Sequence, residues 1–299
     1  MKLRLRGLAA CGLVVLVAAA VTACSSDTGA KSSSSPSATV AKVGSIPSAD
    51  LTANGTLTAC TNYPFQPMQY QNSDGTLEGV DIELLKGAAA RLGLKFNAVN
   101  TDFTSEISSL QSGKCDLIAA QQYITAERLA QVDMMQYWKT KEAIVVPSGN
   151  PDKIKGLDKL CGFSTAAATG TIEAKLLAAA SDTCVSGGKK PIDIQLYANQ
   201  PTAMQALLTG HAQSWMASLL TATVANQQHN AKLETLTPFS PSSGGGVVSM
   251  SFDKKRPEVA QGVLKALQSM YADGSYQKIF AKYKVSSIVA KPEMVTSVG

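Results

Sequence analysis

Apolar residues in the first half of the chain follow two alternating patterns from about residue 57 onward. Short runs at 57–60, 94–99 and 116–120 are typical of strands, and the last of them is typical of a buried strand. Between them, apolar residues recur at helical spacing over 81–92 and 102–110, and the first of these stretches stops before a glycine. This order of strand, helix, strand, helix and strand predicts a parallel sheet that is covered by helices.

The same alternation returns after a strand-like run at 143–147. The later pattern predicts strands at 161–164, 192–197, 214–217 and 247–252, and helices at 171–180, 202–208, 219–227, 257–271 and 275–283. Two successive units of this kind, with the end of the chain free to return to the first, predict an α/β protein of two lobes. Each lobe is expected to be a sheet flanked by helices, and two crossings are expected to join the lobes.

The boundaries of the two lobes follow from this pattern. We expect lobe 1 at 51–143 and again at 243–285, lobe 2 at 144–242, and a loosely packed tail at 286–299. The crossings are expected near 142–146 and 241–246. The second crossing contains three consecutive glycines at 244–246. They lack the Gly-Lys-Ser/Thr sequence that a phosphate-binding loop needs, so we interpret them as a hinge or tight turn.

The amino-terminal segment has the features of an export signal. A basic start is followed by an apolar run at 7–20 that is too short to span a bilayer comfortably. Residues 1–23 are therefore predicted to be a signal peptide, and the sequence Val-Thr-Ala before Cys24 resembles a bacterial lipobox, in which the cysteine is acylated. An ordinary secretory peptide with a chance cysteine, or a residual membrane anchor, is the alternative. Residues 24–50, rich in Ser, Ala, Thr and Gly, are predicted to be a flexible tether.

The charge and the histidine content argue against several classes of function. The formal net charge of +5 falls to +2 when Lys2, Arg4 and Arg6 leave with the signal peptide. A body so close to neutral, without a basic stripe, gives no support to nucleic-acid binding. The chain has only two histidines and no Cys-x-x-Cys sequence, so neither a metal site nor a cofactor is expected.

Four cysteines remain in the predicted body: Cys60, Cys115, Cys161 and Cys184. An even number in an exported chain favours disulfides over free thiols. Three pairings are possible. We favour Cys60–Cys115 with Cys161–Cys184, because each bond then stays within one predicted lobe.

Several short motifs occur in an order that is typical of a known family. The chain resembles the extracellular solute-binding proteins of polar amino acid ABC importers, which include histidine- and lysine/arginine/ornithine-binding proteins. The resemblance covers about 53–284, and the order of the motifs is more specific than any one of them. The motifs are GTLT at 55–58, PFQPMQY at 64–70, DGTLEGVDIEL at 74–84, LQSGKCDL at 110–117, ITAER at 124–128, GT at 170–171 and ADGSY at 272–276.

The resemblance implies a two-lobed fold of the type II periplasmic-binding-protein kind, in which a small solute binds between the lobes. It further implies a monomer without enzymatic activity that delivers its solute to an ABC permease. With the predicted acylated cysteine, the protein is expected on the extracytoplasmic face of the cell membrane.

The resemblance also assigns roles to individual residues. Arg128 is expected to bind the ligand's carboxylate, because a guanidinium can donate two parallel hydrogen bonds to it; a surface helix arginine is the alternative. Thr171 and Ile172 open a predicted helix, whose free N–H groups favour the same anion. Phe65 is expected to pack on the ligand, although an ordinary core aromatic would show the same pattern.

The chain departs from the family pattern where the ligand's amine is usually bound. Gln121, Gln122 and Tyr123 stand where small residues are usual, and Ser218 stands where an aspartate is common. A neutral serine cannot replace the charge that stabilises a desolvated ammonium. We therefore expect a carboxylate-bearing ligand with a cyclic or substituted amine, or one rich in amides. An ordinary polar amino acid, its amine held by Gln and Tyr oxygens, stays open.

Two other functions were weighed against solute binding. A dehydratase- or lyase-like enzyme on this scaffold needs a general acid or base in the cleft. Only Glu142 and Glu173 are acidic candidates there, and helix-capping or surface positions would explain both. His211 and His229 lie in polar stretches that indicate solvated side chains. A ligand sensor for a membrane partner is the second alternative, and sequence does not separate it from transport.

Overall fold

The computed structural model describes residues 41–229, 232–236, 239 and 246–298. The predicted signal peptide, Cys24, most of the predicted tether and two of the three consecutive glycines lie outside these residues. The strands are β1 (Thr56–Thr61), β2 (Tyr70–Gln71), β3 (Leu77–Glu78), β4 (Lys95–Asn100), β5 (Leu117–Tyr123), β6 (Asp133–Lys139), β7 (Glu142–Pro147), β8 (Ser164–Ala168), β9 (Asp193–Tyr197), β10 (Ser214–Ser218), β11 (Leu233–Thr235), β12 (Val247–Phe252) and β13 (Val289–Val295). The helices are α1 (Val80–Leu92), α2 (Glu106–Gln111), α3 (Ala126–Gln131), α4 (Ile172–Ser186), α5 (Gln200–Leu208), α6 (Leu219–Gln228), α7 (Pro257–Ala272) and α8 (Ser275–Lys282).

The first lobe is built on a six-stranded sheet in the order β13-β6-β12-β5-β1-β4. Strand β1 is parallel to β4 and β5, while β12 runs antiparallel to its neighbours. Side chains alternate along β1, so Leu57 and Ala59 pack in the main core with α1 and α7, and Cys60 packs on the other face with Leu110 of α2. Helices cover both faces, which explains why every residue of β1 after Thr56 is buried.

The second lobe is built on a five-stranded sheet in the order β11-β7-β10-β8-β9. Strand β8 is parallel to β9 and β10, and β7 is antiparallel to β10. Trp215 and Met216, adjacent on β10, belong to separate core clusters on the two faces of this sheet. The two-lobed α/β fold predicted from the alternating patterns is confirmed.

The chain crosses between the lobes earlier than predicted. Strand β6 ends at Lys139 in the first sheet and β7 begins at Glu142 in the second, so the crossing is at 140–141 rather than 142–146. The Thr140 N–H donates to the carbonyl of Gly246, 2.7 Å away, at the start of β12. This bond ties the first crossing to the point where the chain re-enters the first lobe.

Two segments predicted to be loose are ordered parts of the first lobe. Residues 289–295 of the predicted tail form β13, which pairs antiparallel with β6, and Met294 lies opposite Met135. The end of the predicted tether packs on α1 and α7. Ile46 is buried there, and the Val43 N–H donates to the Arg91 carbonyl at 2.9 Å. Both predictions failed because isolated apolar residues in polar stretches give no periodic pattern.

The strand predicted at 161–164 is displaced. Strand β8 occupies Ser164–Ala168, and Cys161 lies in the turn before it. Cys161 is held there by a disulfide to Cys184 of α4, with 5.6 Å between the Cα atoms. The other predicted disulfide, Cys60–Cys115, has the same Cα separation. The predicted pairing of all four cysteines is confirmed.

Within the described residues, none of the helices is both long enough and apolar enough to cross a membrane.

Candidate functional site

A cavity lies between the two lobes. Its lining residues include ones that follow the carboxyl ends of strands β1, β5, β8, β9 and β10. In sheets of this kind, those ends face the same crevice, so loops from separate strands converge there. The seven residues predicted to bind ligand all line this cavity: Phe65, Gln121, Tyr123 and Arg128 from the first lobe, and Thr171, Ile172 and Ser218 from the second. Their common position agrees with a shared role, which stays a prediction.

Other lining residues were not singled out by sequence reasoning. They include Asn62, Phe103, Trp138, Asn199 and Gln200. Phe103 and Trp138 lie far along the chain from the aromatic residue of the first loop, Phe65. Only the topology brings these aromatic residues together, and their spacing carried no signal that could have found them.

Arg128 is positioned from both lobes. It lies in α3, which begins after Thr125, whose hydroxyl accepts from the Arg128 N–H at 3.2 Å. Its Nη1 donates to the carbonyl of Tyr123 at 2.9 Å, and its Nη2 to the carbonyl of Gly170 at 3.4 Å. The guanidinium lies 5.5 Å from the ring centroid of Phe103. A guanidinium has five N–H donors, so this arrangement leaves donors for an anion.

The Arg128 side chain is largely withdrawn from water. Burial lowers its pKa, and the negative charges of Glu106 and Glu173 act in the opposite direction. A guanidinium stays protonated even after such a shift. The cavity therefore contains a fixed positive charge in a poorly solvated place, where its interaction with an anion is strengthened.

Helix α4 points its amino terminus into the same cavity. Thr171 caps this helix: its hydroxyl accepts from the Ala174 N–H at 3.3 Å and donates to the Ala168 carbonyl at 2.7 Å. The first N–H groups of a helix have no intrahelical partner. The helix end thus adds partial positive charge opposite Arg128.

Gln121 and Gln122, which stand where small residues are usual in the family, form side-chain hydrogen bonds within the first lobe. Gln121 has a backbone φ of 54°, and its Nε2 donates to Gln69 and to Asp81, the latter at 3.2 Å. Gln122 does not line the cavity, because its amide is bound to Glu106 at 3.0 Å and to the hydroxyl of Ser251 at 2.8 Å. The Gln122 amide is therefore fully engaged away from the cavity, and the Gln121 Nε2 is engaged with protein partners although Gln121 lines the cavity.

Ser218 ends β10 and caps α6. Its hydroxyl accepts from the Thr221 N–H at 3.2 Å and shares a hydrogen bond of 2.8 Å with the Thr221 hydroxyl. In the antiparallel register, Ser218 lies directly opposite Glu142 of β7.

Glu142 and Glu173 are neither exposed nor at a solvated helix end, so the surface interpretation of both was wrong. Glu142 is fully buried, and Glu173 is 4% exposed in the first turn of α4, where it lines the cavity. Burial raises the pKa of both carboxyl groups, and the neighbouring charge of Glu173 raises that of Glu142 further. The Gln200 amide donates to Glu173 at 3.4 Å.

Across the described part of the chain, no three His, Cys, Asp or Glu side chains are placed to hold a metal ion. The cavity instead combines one guanidinium, one helix amino terminus, the buried carboxyl group of Glu173 and four aromatic rings. Such a combination can bind a small molecule that carries both an anionic group and a cationic group.

Two curated relatives are similar to most of the chain. The arginine-binding protein ArgT of Corynebacterium glutamicum is 27% identical over 241 residues, which cover 79% of this chain and 76% of the relative. The L-cystine-binding protein TcyJ of Escherichia coli (strain K12) is 26% identical over 231 residues, covering 77% of this chain and 82% of the relative.

A solved structure shows the same architecture. An ancestral arginine-binding protein bound to arginine is 30% identical, with a TM-score of 0.69, and the match covers 77% of this chain and 99% of that structure. The family model of the bacterial extracellular solute-binding proteins, family 3, matches residues 57–286. This range includes the second sheet, the first sheet except Thr56 and β13, and every residue that lines the cavity. Two lobes around a polar cavity, built from the expected motifs in the expected order, identify this chain as a member of that family.

Proposed function

We propose that this protein captures a small carboxylate-bearing solute, an amino acid or a close analogue, and delivers it to an ABC permease in the membrane. The observation that carries this proposal is the placement of Arg128 opposite the amino terminus of α4 in one interlobe cavity. A forked guanidinium and free helix N–H groups both favour a carboxylate.

The relatives support an amino acid as the class of solute. Arginine and L-cystine are named as the ligands of the two curated relatives, and arginine is bound in the solved structure of the ancestral protein. These ligands share the α-amino and α-carboxylate groups and differ in their side chains. The shared groups are therefore the part of the ligand that we extend to this chain.

Contacts across the cavity support capture by closure of the lobes. Arg128 of the first lobe donates to Gly170 of the second. Glu127 forms an ion pair with Lys175 at the rim, and the side-chain amides of Gln66 and Gln228 are hydrogen-bonded at another edge. A solute that binds both lobes favours this closed arrangement by its differential affinity for it.

We further propose that the protein acts as a monomer, without chemical conversion of its solute, and that acylated Cys24 anchors it outside the cytoplasmic membrane. The relatives are binding proteins, which supports the absence of catalysis. The lipobox-like sequence before Cys24 supports the anchor.

The test is a thermal-shift screen of the purified protein against amino acids, betaines, cyclic imino acids and small carboxylates. A ligand present at about a hundredfold over its Kd adds about 2.7 kcal/mol of stability, or roughly 5–10 °C in a body of this size. The Arg128→Ala variant should lose the shift. The Arg128→Lys variant keeps the positive charge but cannot donate two parallel hydrogen bonds, so it should retain only a small part of the thermal shift. A full shift in Arg128→Ala would contradict the proposed carboxylate site.

A further inference from the structure

The proposed function assigns no role to a group of buried polar atoms beside the cavity. Both carboxylate oxygens of Glu142 lack a hydrogen-bond partner among the described residues. The same holds for the hydroxyl of Tyr123 and the indole N–H of Trp138, which both line the cavity. Tyr123 is 6% exposed and Trp138 is 1% exposed. Buried polar atoms are nearly always paired in folded proteins, so such a concentration at one cavity indicates a missing partner.

Two buried carboxyl groups accompany these atoms: Glu173 lines the cavity, and Glu142 lies opposite Ser218, which also lines it. The charge of Glu173 is one of the causes that raise the pKa of Glu142. The Tyr123 hydroxyl is near enough to Glu142 to lower that pKa in part, although it does not reach hydrogen-bonding geometry. Glu173 is among the residues that line the cavity, whereas Glu142 is not.

The charges at the cavity do not balance. Arg128 supplies one positive charge, and when a carboxylate ligand binds it, that charge is neutralised by the ligand. Glu142 and Glu173 then have no cationic partner. An isolated buried carboxylate is strongly disfavoured unless a proton or a cation joins it. A ligand that brings a cation satisfies this requirement.

Glu142 lies next to Ser218, the residue that stands where an aspartate is common in the family. Residues directly opposite each other on antiparallel strands place their side chains on the same face, with Cβ atoms about 5 Å apart. Glu142 therefore presents a carboxylate beside the position where Ser218 has none. Ser218 itself is occupied in capping α6.

We propose that Glu173, together with the buried Glu142 opposite Ser218, forms the subsite for the ligand's α-ammonium group. This proposal rests on the proposed function, since it completes the binding of an amino acid whose carboxylate is held by Arg128. The ammonium and the carboxylate of an α-amino acid are bonded to the same carbon atom, so one ligand can reach Arg128 and Glu173 together. The negative charge at this subsite comes from β7 and α4 and needs no contribution from β10.

The experiment compares amino acids with analogues that lack only the ammonium group. The pairs are L-glutamine with glutaramic acid, L-proline with cyclopentanecarboxylic acid, and L-leucine with 4-methylpentanoic acid. Affinities are measured by isothermal titration calorimetry for the wild type, Glu173→Gln and Glu142→Gln. A third variant, Glu106→Gln, is the matched control, because Glu106 is a buried glutamate that does not line the cavity.

We expect the wild type to prefer the amino member of each pair that it binds by 100-fold or more. Glu173→Gln should reduce that preference by about 100-fold, which is typical of removing one partner of a buried charge pair. Glu142→Gln should reduce it less, and Glu106→Gln should leave it unchanged. Adding Ser218→Asp to Glu142→Gln should restore part of the preference, since aspartate also caps helices well.

Two outcomes separate the inference from the proposed function. Binding of an analogue as tightly as its amino partner, or an unchanged preference in Glu173→Gln, would overturn the ammonium subsite while leaving carboxylate capture intact. If the wild type binds no member of any pair and no compound of the thermal-shift screen, the proposed function fails and the subsite fails with it.

Discussion

Asp81 offers the clearest test of the electrostatics of the first lobe. It lies in the first turn of α1 and is fully buried. One carboxylate oxygen accepts from the Gln121 amide at 3.2 Å, and the other has no hydrogen-bond partner among the described residues. Burial raises the pKa of Asp81 from 3.8 to about 7. The perturbation is Asp81→Asn, which removes the titration and keeps an oxygen that can accept from Gln121.

The sign of the effect follows from proton binding in the two states. Between the pKa of 3.8 that is normal for an aspartate and the folded pKa of about 7, the folded protein holds a proton that the unfolded chain releases. Stability therefore falls as the pH rises through this interval. With about 1.4 kcal/mol per pKa unit, Asp81 costs the wild type about 1.5 kcal/mol at pH 5 and about 4 kcal/mol at pH 8. The variant should gain about 2.5 kcal/mol relative to the wild type between these two conditions.

The assay is thermal unfolding of the wild type and Asp81→Asn at pH 5 and pH 8. The difference in Tm between the two proteins should grow by about 5–10 °C in favour of the variant, for a body of roughly 250 residues. Asp273→Asn is the matched control. Hydrogen bonds from Ser275 and the ion pair with Arg91 lower the pKa of Asp273 to about 2. The change in Tm caused by Asp273→Asn should therefore be the same at both pH values. An equal Tm difference for Asp81→Asn at pH 5 and pH 8 would refute the reasoning.

Three further predictions concern stability. Gly79 has a φ of 123°, and a Cβ there would lie 2.2 Å from a main-chain oxygen. At Gly113 φ is also positive, but no atom lies within 4 Å of a Cβ. Gly79→Ala should therefore lower Tm much more than Gly113→Ala does. Replacing Cys161 and Cys184 by serine should cost about 3 kcal/mol in denaturant unfolding, because the bond closes a loop of 23 residues in sequence separation. Tyr276→Phe removes a buried 2.6 Å hydrogen bond to a β6 carbonyl and should cost about 1–2 kcal/mol by the same measurement.

Much of the fold could be predicted because the core elements carry strong local patterns. Helix α1 shows apolar residues at helical spacing and ends at Gly93, which has a φ of 72° and donates its N–H to the last carbonyls of the helix. The first four residues of β5, Leu117 to Ala120, form a continuous apolar run, as expected where helices cover both faces of a sheet. These local rules sufficed to identify both lobes.

The elements that were missed obtain their structure from distant partners. Strand β6 is buried between β12 and β13, so its side chains show no polar alternation that would mark it as a strand. Strand β13 contains Pro292 and charged residues, which is tolerated because it lies at the edge of the sheet. Ile46 is a single apolar residue that fits where Gly262 of α7 leaves space. None of these contacts leaves a periodic signal.

The candidate site likewise contains some residues that the sequence could identify and others that it could not. Arg128 could be proposed from its motif, because the motif places it directly after a buried strand. Glu142 could not be placed beside Ser218, because a single sequence does not specify the register of β7 against β10. The departure of the amine pocket from the family pattern, indicated by Gln121, Tyr123 and Ser218, stays a prediction. The sequence could not indicate that a buried carboxyl group on another strand lies opposite Ser218.

The hydrogen bonds of the cavity distinguish residues that shape it from residues that await a ligand. The side chains of Gln121 and Ser218 already have protein partners, so their exchange for the usual residues alters the walls of the cavity. The polar atoms of Glu142 and Tyr123 have none among the residues described. Unpaired buried groups of this kind lower stability, and a cationic group bound at Glu173 would compensate part of this cost by supplying the missing positive charge. The site is therefore expected to be least stable without ligand and to select its ligand by charge at this point, whereas Arg128 selects the carboxylate.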